Sequence, residues 1–130
     1  MTTQYGFGKQ VDYAFADALS RVTAALQAEG FGILSDIDVA ATLKKKLGHD
    51  MPPYRILGAC NPPLALRAIE AEQSIGLLLP CNVVVRQDAG GRVRVEFMDT
   101  DAVLKLVDQP AIAALATEVR ARLERVMQAL

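Results

Sequence analysis

The residues that build most metal and redox centres are scarce in this sequence. Its 130 residues include two cysteines, one histidine and no tryptophan. A structural zinc site takes four cysteine or histidine ligands at close spacing, and a secreted disulfide scaffold needs a dense cysteine framework. Neither pattern is present, so we expect Cys60 and Cys81 to be thiols in a reducing cytosol.

Charge of one sign and long apolar runs are also lacking. Fourteen basic residues stand against fifteen acidic ones, which leaves no overall field to attract a phosphate backbone or an anionic membrane. No stretch approaches the roughly 20 apolar residues that a membrane span needs. Residues 1–6 have neither the basic nor the apolar part of a secretory signal. We therefore expect a cytoplasmic protein that binds neither nucleic acid nor membranes.

The apolar residues are numerous enough for one packed core. Hydrophobic residues make up 52% of the chain and charged residues 22%, which is typical of a globular domain with a small apolar surplus. The length is close to the commonest domain size. We expect one domain over residues 1–130, and a homodimer would bury the surplus apolar surface.

Hydrophobic periodicity predicts strands that alternate with helices, followed by a hairpin. Asp12, Asp38 and Asp108 are placed to open helices, and Pro62 with Pro63 suits a first helical turn. The order β-α-β-α-β-α-β-β-α predicts an α+β fold with a mixed or antiparallel sheet covered by helices. The predicted strands are residues 5–11, 31–37, 54–59, 77–86 and 92–97.

One candidate site begins at Cys60, where a predicted strand gives way to a helix. Cys60 is followed by Asn61 and two prolines. If its sulfur lies near the exposed N–H groups of the helix N-terminus, the thiolate is stabilised and becomes reactive. The alternative is a small buried side chain that packs the strand end, because free cysteine is among the most buried residue types. Cys60 is therefore a candidate nucleophile as well as a candidate ligand-binding residue.

A second Cys-Asn pair, Cys81 and Asn82, follows Pro80. In a strand of period two, Cys81 shares a face with Val83 and Val85, which predicts a core position. The opposite face, with Asn82, is mixed in character and suits a cleft or a partner. A bulge at Pro80 would exchange the two faces and bring Cys81 to a cleft.

The remaining candidates have simpler explanations. A soft ion such as Cu(I) needs few ligands, so Cys60 and Cys81 are candidate metal ligands. His49 is expected to be a solvated loop residue. Asp36 and Asp38 form a carboxylate pair suited to acid–base work, but a helix cap is a sufficient role for Asp38. The sequence contains no phosphate-binding loop and no Ser-His-Asp arrangement.

Three ordered blocks of the sequence resemble the DUF302 family, which comprises small bacterial and archaeal domains without an established biochemical role. The blocks are residues 31–39 with 42–48, then 54–62 and 78–83, and the last two contain Cys60 and Cys81. The resemblance implies a TBP-like β-α-β(n)-α sheet with extra helices, a homodimer, and a site that both cysteines share. Thr100 departs from the family pattern, in which proline is frequent after Met98-Asp99. The resemblance supplies no reaction.

The leading hypothesis is a thiol-lined site for a small ligand or a soft metal ion, with Cys60, Asn61, Cys81 and Asn82 as its residues. The first alternative is a thiol enzyme or redox sensor in which Cys60 is the nucleophile and Cys81 resolves the intermediate. The second is a structural dimerisation module, in which the apolar strand 77–85 pairs or packs across a two-fold axis. The sequence specifies no cofactor and decides neither for nor against catalysis.

Overall fold

The computed structural model describes residues 3–130. This part of the chain contains five β-strands, five α-helices and two 3₁₀ helices, the latter at Gln73–Leu78 and Leu104–Leu106. The strands are β1 (Gly6–Val11), β2 (Gly32–Asp38), β3 (Tyr54–Cys60), β4 (Cys81–Gln87) and β5 (Val93–Met98). The helices are α1 (Phe15–Ala28), α2 (Val39–Leu47), α3 (Pro62–Ala71), α4 (Thr100–Val103) and α5 (Pro110–Gln128).

The strands form one antiparallel sheet in the order β1-β5-β4-β3-β2. The predicted hairpin between β4 and β5 is confirmed, with Val83 opposite Phe97 and Gln87 opposite Val93. The α+β class is confirmed as well, since helices pack on this sheet. The finer expectation of a TBP-like arrangement stays a prediction.

The two faces of the sheet differ in burial. On one face, Val83, Val85 and Val95 are completely buried and join a core with residues of α1 and α5. On the other face, the strand register aligns one residue from each strand in a row, and none of the row is buried. We call this second side the open face, and its central row is Ile37, Ile56, Val84, Glu96 and Gly8.

Strand β4 begins four residues later than predicted. The 3₁₀ helix Gln73–Leu78 includes the first two residues of the predicted strand, Leu77 and Leu78, and Pro80 lacks the N–H that a ladder requires. Strand β4 lies in the middle of the sheet, with β3 and β5 on its two sides. The predicted edge-to-edge pairing of this strand with its copy across a two-fold axis is therefore wrong. A dimer could still form by packing of the open face, the other form of the dimerisation hypothesis.

Two helix starts also differ from prediction. Helix α1 is preceded by Ala14, which makes no side-chain cap, rather than by Asp12. Pairing of Val11 with Val93 keeps the chain extended up to the residue before Asp12, so the helix starts later. Helix α5 follows Gln109 instead of Asp108, because its first residue is a proline. Within residues 3–130, no helix is long and apolar enough to cross a membrane.

Candidate functional site

A cavity of about 310 Å³ lies between one end of the sheet and helices α3 and α5. Its volume is at the lower end of the range of small-molecule sites. Its polar side chains are Cys60, Asn61, Cys81 and Thr100, and the rest of the wall is apolar. The apolar lining residues are Phe31, Leu34, Ala59, Leu64, Ala65, Ala68, Ile69, Gly76, Leu79, Pro80, Leu104, Leu115 and Val119.

Cys60 and Cys81 lie on neighbouring strands at the cavity wall. Cys81 is opposite Ala59, the residue before Cys60, and both cysteines are free thiols. Cys60 is half-buried, whereas Cys81 is 7% exposed. Burial raises the pKa of the Cys81 thiol to about 11, and the nearby Cys60 adds to the rise. Cys81 is therefore a neutral thiol at neutral pH.

The strand alternation predicted for Cys81 is confirmed. Its side chain belongs to the core together with Val83 and Val85, and the register from Ala59 onward shows no shift in β4. From the sequence, a bulge at Pro80 is required for Cys81 to reach a cleft. That requirement was wrong, because the cavity lies at the end of the core and Cys81 borders both.

Asn61 caps helix α3, a role that was not predicted from the sequence. Its Oδ1 accepts a hydrogen bond from the Leu64 N–H at 3.3 Å, and its carbonyl oxygen accepts one from the Ala65 N–H at 2.9 Å. The two intervening prolines have no N–H. The first turn therefore has no free N–H, and the expected stabilisation of a Cys60 thiolate by exposed N–H groups was wrong. Asparagine directly before proline was the sequence signal for this cap.

Thr100 connects two of the helices around the cavity. Its side chain is completely buried, and its hydroxyl donates a hydrogen bond to the Ala116 carbonyl at 2.7 Å. This bond joins α4 to α5. The hydroxyl is thus committed to the backbone, which leaves the two thiols and the Asn61 amide as the polar groups of the wall that can serve a ligand.

Asn82 lies away from the cavity. It is exposed on the open face and lines a separate concavity of about 510 Å³. Arg86 and Glu96 form an ion pair in that concavity, with 2.6 Å between Nε and Oε1. Neighbouring residues of a strand face opposite sides of the sheet, so the structure separates Asn82 from the other three predicted binding residues.

The other polar candidates have structural partners. Arg55 binds Asp36 through two hydrogen bonds of 2.6 and 2.8 Å, and these bonds lower the pKa of that carboxyl group. Asp38 caps α2 by accepting from the Ala41 N–H at 2.9 Å, as predicted. His49 lies in an exposed connection. Among residues 3–130, no three His, Cys, Asp or Glu side chains are grouped to hold a metal ion.

The fold and the cavity define a small α+β domain whose antiparallel sheet ends at a thiol-lined apolar cavity. The chain belongs to the DUF302 family, whose model, described as a domain of unknown function, matches residues 7–130. Its structure is similar to the crystal structure of an uncharacterized conserved DUF302 protein from Bacillus stearothermophilus, with 26% sequence identity, 98% of each chain covered and a TM-score of 0.89. No curated protein matches the chain. The family prediction is confirmed, and no biochemical activity comes with it.

Proposed function

We propose that the protein binds a small apolar ligand in the cavity beside Cys60 and Cys81. The supporting observation is that the chain's two cysteines, distant in sequence, border one apolar cavity of about 310 Å³. Removing apolar surface from water stabilises a complex by about 25 cal/mol per Å². A ligand with an apolar body and few polar atoms fits this wall best.

The rim of the cavity supports access for such a ligand. Leu34 and Ile69 line the cavity, yet Leu34 is 70% exposed and Ile69 is 44% exposed. Leu34 is the extra residue where the β2 register shifts between Ile33 and Ser35, and such a bulge redirects a side chain. The apolar wall is therefore continuous with apolar surface at its edge.

Ligand-observed NMR with toluene tests the proposal. Saturable binding to the wild type is expected. A variant with Cys60→Ser and Cys81→Ser is expected to bind several-fold more weakly, because hydroxyl groups are more strongly hydrated than thiols. Ala28→Ser, at an exposed position of α1, is the control and should leave binding unchanged. Equal binding by the double variant and the wild type would contradict the involvement of the thiols.

A soft metal ion is the second candidate ligand, favoured by the proximity of the two free thiols. Thiolates are soft ligands that suit Cu(I), and binding of the ion would displace the proton that Cys81 holds at neutral pH. Anaerobic Cu(I) titration should show one ion per chain. Cys60→Ser alone and Cys81→Ser alone should each abolish this binding. If each single variant still binds one ion per chain, the proposed metal site is excluded.

A thiol enzyme or redox sensor with Cys60 as nucleophile has less structural support. The first turn of α3 offers no free N–H to a thiolate, and the proposed resolving residue, Cys81, is 7% exposed. This function requires rapid alkylation of Cys60 at neutral pH, measured by mass spectrometry after timed exposure to iodoacetamide. If Cys60 is labelled as slowly as a buried thiol, the thiol-enzyme and redox-sensor functions are excluded.

We also propose that the chain forms a homodimer that covers the open face. Val39, Leu43 and Leu47 form an apolar stripe on α2, but no residue of this helix is buried and Leu47 is 74% exposed. Ile37, in the central row of the open face, is 49% exposed. A second copy packed on these surfaces would remove both from water.

A reducing cytosol is the proposed compartment. The proposal is based on the two free thiols, since cysteines of cytosolic proteins are kept reduced by the thiol pool. A proposed ligand site that includes both thiols also requires that they stay unpaired, because a disulfide would remove both groups from the wall.

A further inference from the structure

The cavity wall contains an amide group with unused donors. Asn61 is 9% exposed, and the hydrogen bond from the Leu64 N–H fixes its Oδ1 toward the helix. A primary amide carries two N–H donors on its nitrogen. No residue in the described range 3–130 accepts a hydrogen bond from the Asn61 Nδ2. The cap therefore fixes the orientation of the Asn61 side chain, but it uses only Oδ1 and gives the two N–H groups no acceptor.

No side chain beside this nitrogen supplies an acceptor. Gly30 lies beside it, and a Cβ atom at that position would be 2.9 Å from Nδ2. The Arg122 Nη1 is 3.6 Å from the same point, and it already donates to the Glu29 carbonyl at 3.0 Å. Gly30 has no side chain and the Arg122 guanidinium is a donor, so neither residue offers Nδ2 a side-chain acceptor.

Building on the proposed function, we propose that the Asn61 Nδ2 selects ligands that carry a carbonyl-type acceptor on an otherwise apolar body. A donor that is left unpaired when a ligand excludes water loses its hydrogen bond to solvent. A hydrocarbon imposes that loss, whereas a carbonyl oxygen at the Asn61 end of the cavity restores the bond. Asn61 is then the specificity-determining residue, and the acceptor lies next to Cys60, its neighbour in the chain.

Acetophenone and α-methylstyrene form the test pair, because they differ in shape only by oxygen in place of a methylene group. Asn61→Asp and Asn61→Ser keep an oxygen that can cap α3 but remove the amide donor. Both substitutions should reduce the ratio of acetophenone to α-methylstyrene affinity by about two- to tenfold. Asn82→Asp, in the second Cys-Asn pair on the open face, is the matched control and should keep the wild-type ratio.

A direct observation on the wild type complements the variants. The side-chain amide signals of Asn61 in ¹⁵N-edited NMR should shift on saturation with acetophenone and stay in place with α-methylstyrene. If α-methylstyrene binds but the affinity ratio is the same in the wild type and both Asn61 variants, the role of Asn61 is overturned while the proposed function stands. If neither compound binds the wild type, the proposed function fails, and the selection by Asn61 fails with it.

Discussion

At the residue scale, the two Cys-Asn pairs have different environments because adjacent residues of a strand face opposite sides of the sheet. Cys81 faces the core and Asn82 faces solvent on the open face. Cys60 and Asn61 lie where β3 ends and α3 begins, so strict alternation no longer applies and both line the cavity. Three of the four residues are thus available to one ligand.

The pKa of Cys81 predicts a pH-dependent contribution to stability. Burial first, and the nearby Cys60 second, raise it to about 11 from an ordinary value of 9.0. Between these values the unfolded state loses its proton while the native state keeps it, so the free energy of unfolding falls as pH rises. The difference between these two pKa values corresponds to about 3 kcal/mol of unfolding free energy.

Chemical denaturation of the wild type and Cys81→Ala at several pH values measures this contribution. The difference in unfolding free energy between them should be constant below pH 9 and should shrink by up to about 3 kcal/mol toward pH 11. Other alkaline groups are common to both proteins and cancel in the difference. A difference independent of pH would show that the native thiol is not held neutral.

We predict that a side chain at position 30 is disfavoured for two reasons, the backbone angle of Gly30 and its closeness to the Asn61 amide. Its φ of 86° disfavours any L side chain, and a Cβ there would lie 2.9 Å from the Asn61 amide. Gly91 has a similar φ of 81° but open space around it. Gly91→Ala should cost about 1–2 kcal/mol of unfolding free energy. Gly30→Ala should cost more, and equal losses in urea denaturation would show that the contact with Asn61 is unimportant.

At the element scale, α3 forms one wall of the cavity because its polar start is capped and its apolar side is turned inward. Leu64 and Ala68 are buried residues of this helix, and both line the cavity. Ala68 also contacts a second cluster of buried residues: Ile75, Leu104, Ile112 and Ala116. The size of the side chain at position 68 therefore determines how much of the cavity remains.

Replacement of Ala68 by leucine is expected to occupy part of the cavity and weaken binding of toluene. The unfolding free energy should change by less than about 1.5 kcal/mol, because the added atoms occupy existing space. Ala28→Leu, at an exposed position of α1, adds the same atoms elsewhere and should leave binding intact. Undiminished toluene binding by Ala68→Leu in ligand-observed NMR would place the binding site outside the cavity.

Elements with local signals were predicted from the sequence, and elements fixed by distant contacts were not. The alternation around Val93, Val95 and Phe97 identified β5, and the capping carboxylate of Asp38 identified the start of α2. Leu77 and Leu78, at the end of the 3₁₀ helix Gln73–Leu78, were predicted as strand because so short an apolar run carries no period that separates the two structures.

At the scale of the whole molecule, one side of the sheet is packed and the open face retains apolar surface. The homodimer proposal predicts that Ile37→Lys weakens self-association at least tenfold, because it introduces a charge into the proposed interface. Sedimentation equilibrium at micromolar concentration measures the change. Leu66→Lys, at a 59% exposed position of α3, is the control and should leave the dimer intact. A wild type that is monomeric at these concentrations would contradict the proposal.

The fold class followed from the order of elements, but the composition of the cavity did not. Cys60 and Cys81 were predicted to share a site because they occur in family-like blocks. Leu34, Leu104 and Leu115 reach the same cavity from three other segments, and no local pattern connects them. Their proximity depends on how α3, the 3₁₀ segments and α5 pack against the end of the sheet, which is a tertiary property.

A ¹H–¹⁵N NMR titration of the wild type with toluene tests the central claim, ligand binding beside the two thiols, most directly. Saturable shifts are expected for the backbone amides of cavity residues such as Cys60, Leu64 and Leu104. Amides of Asn82 and Glu96, in the concavity of the open face, should not move. No saturable shift, or shifts confined to the open face, would contradict the proposed function.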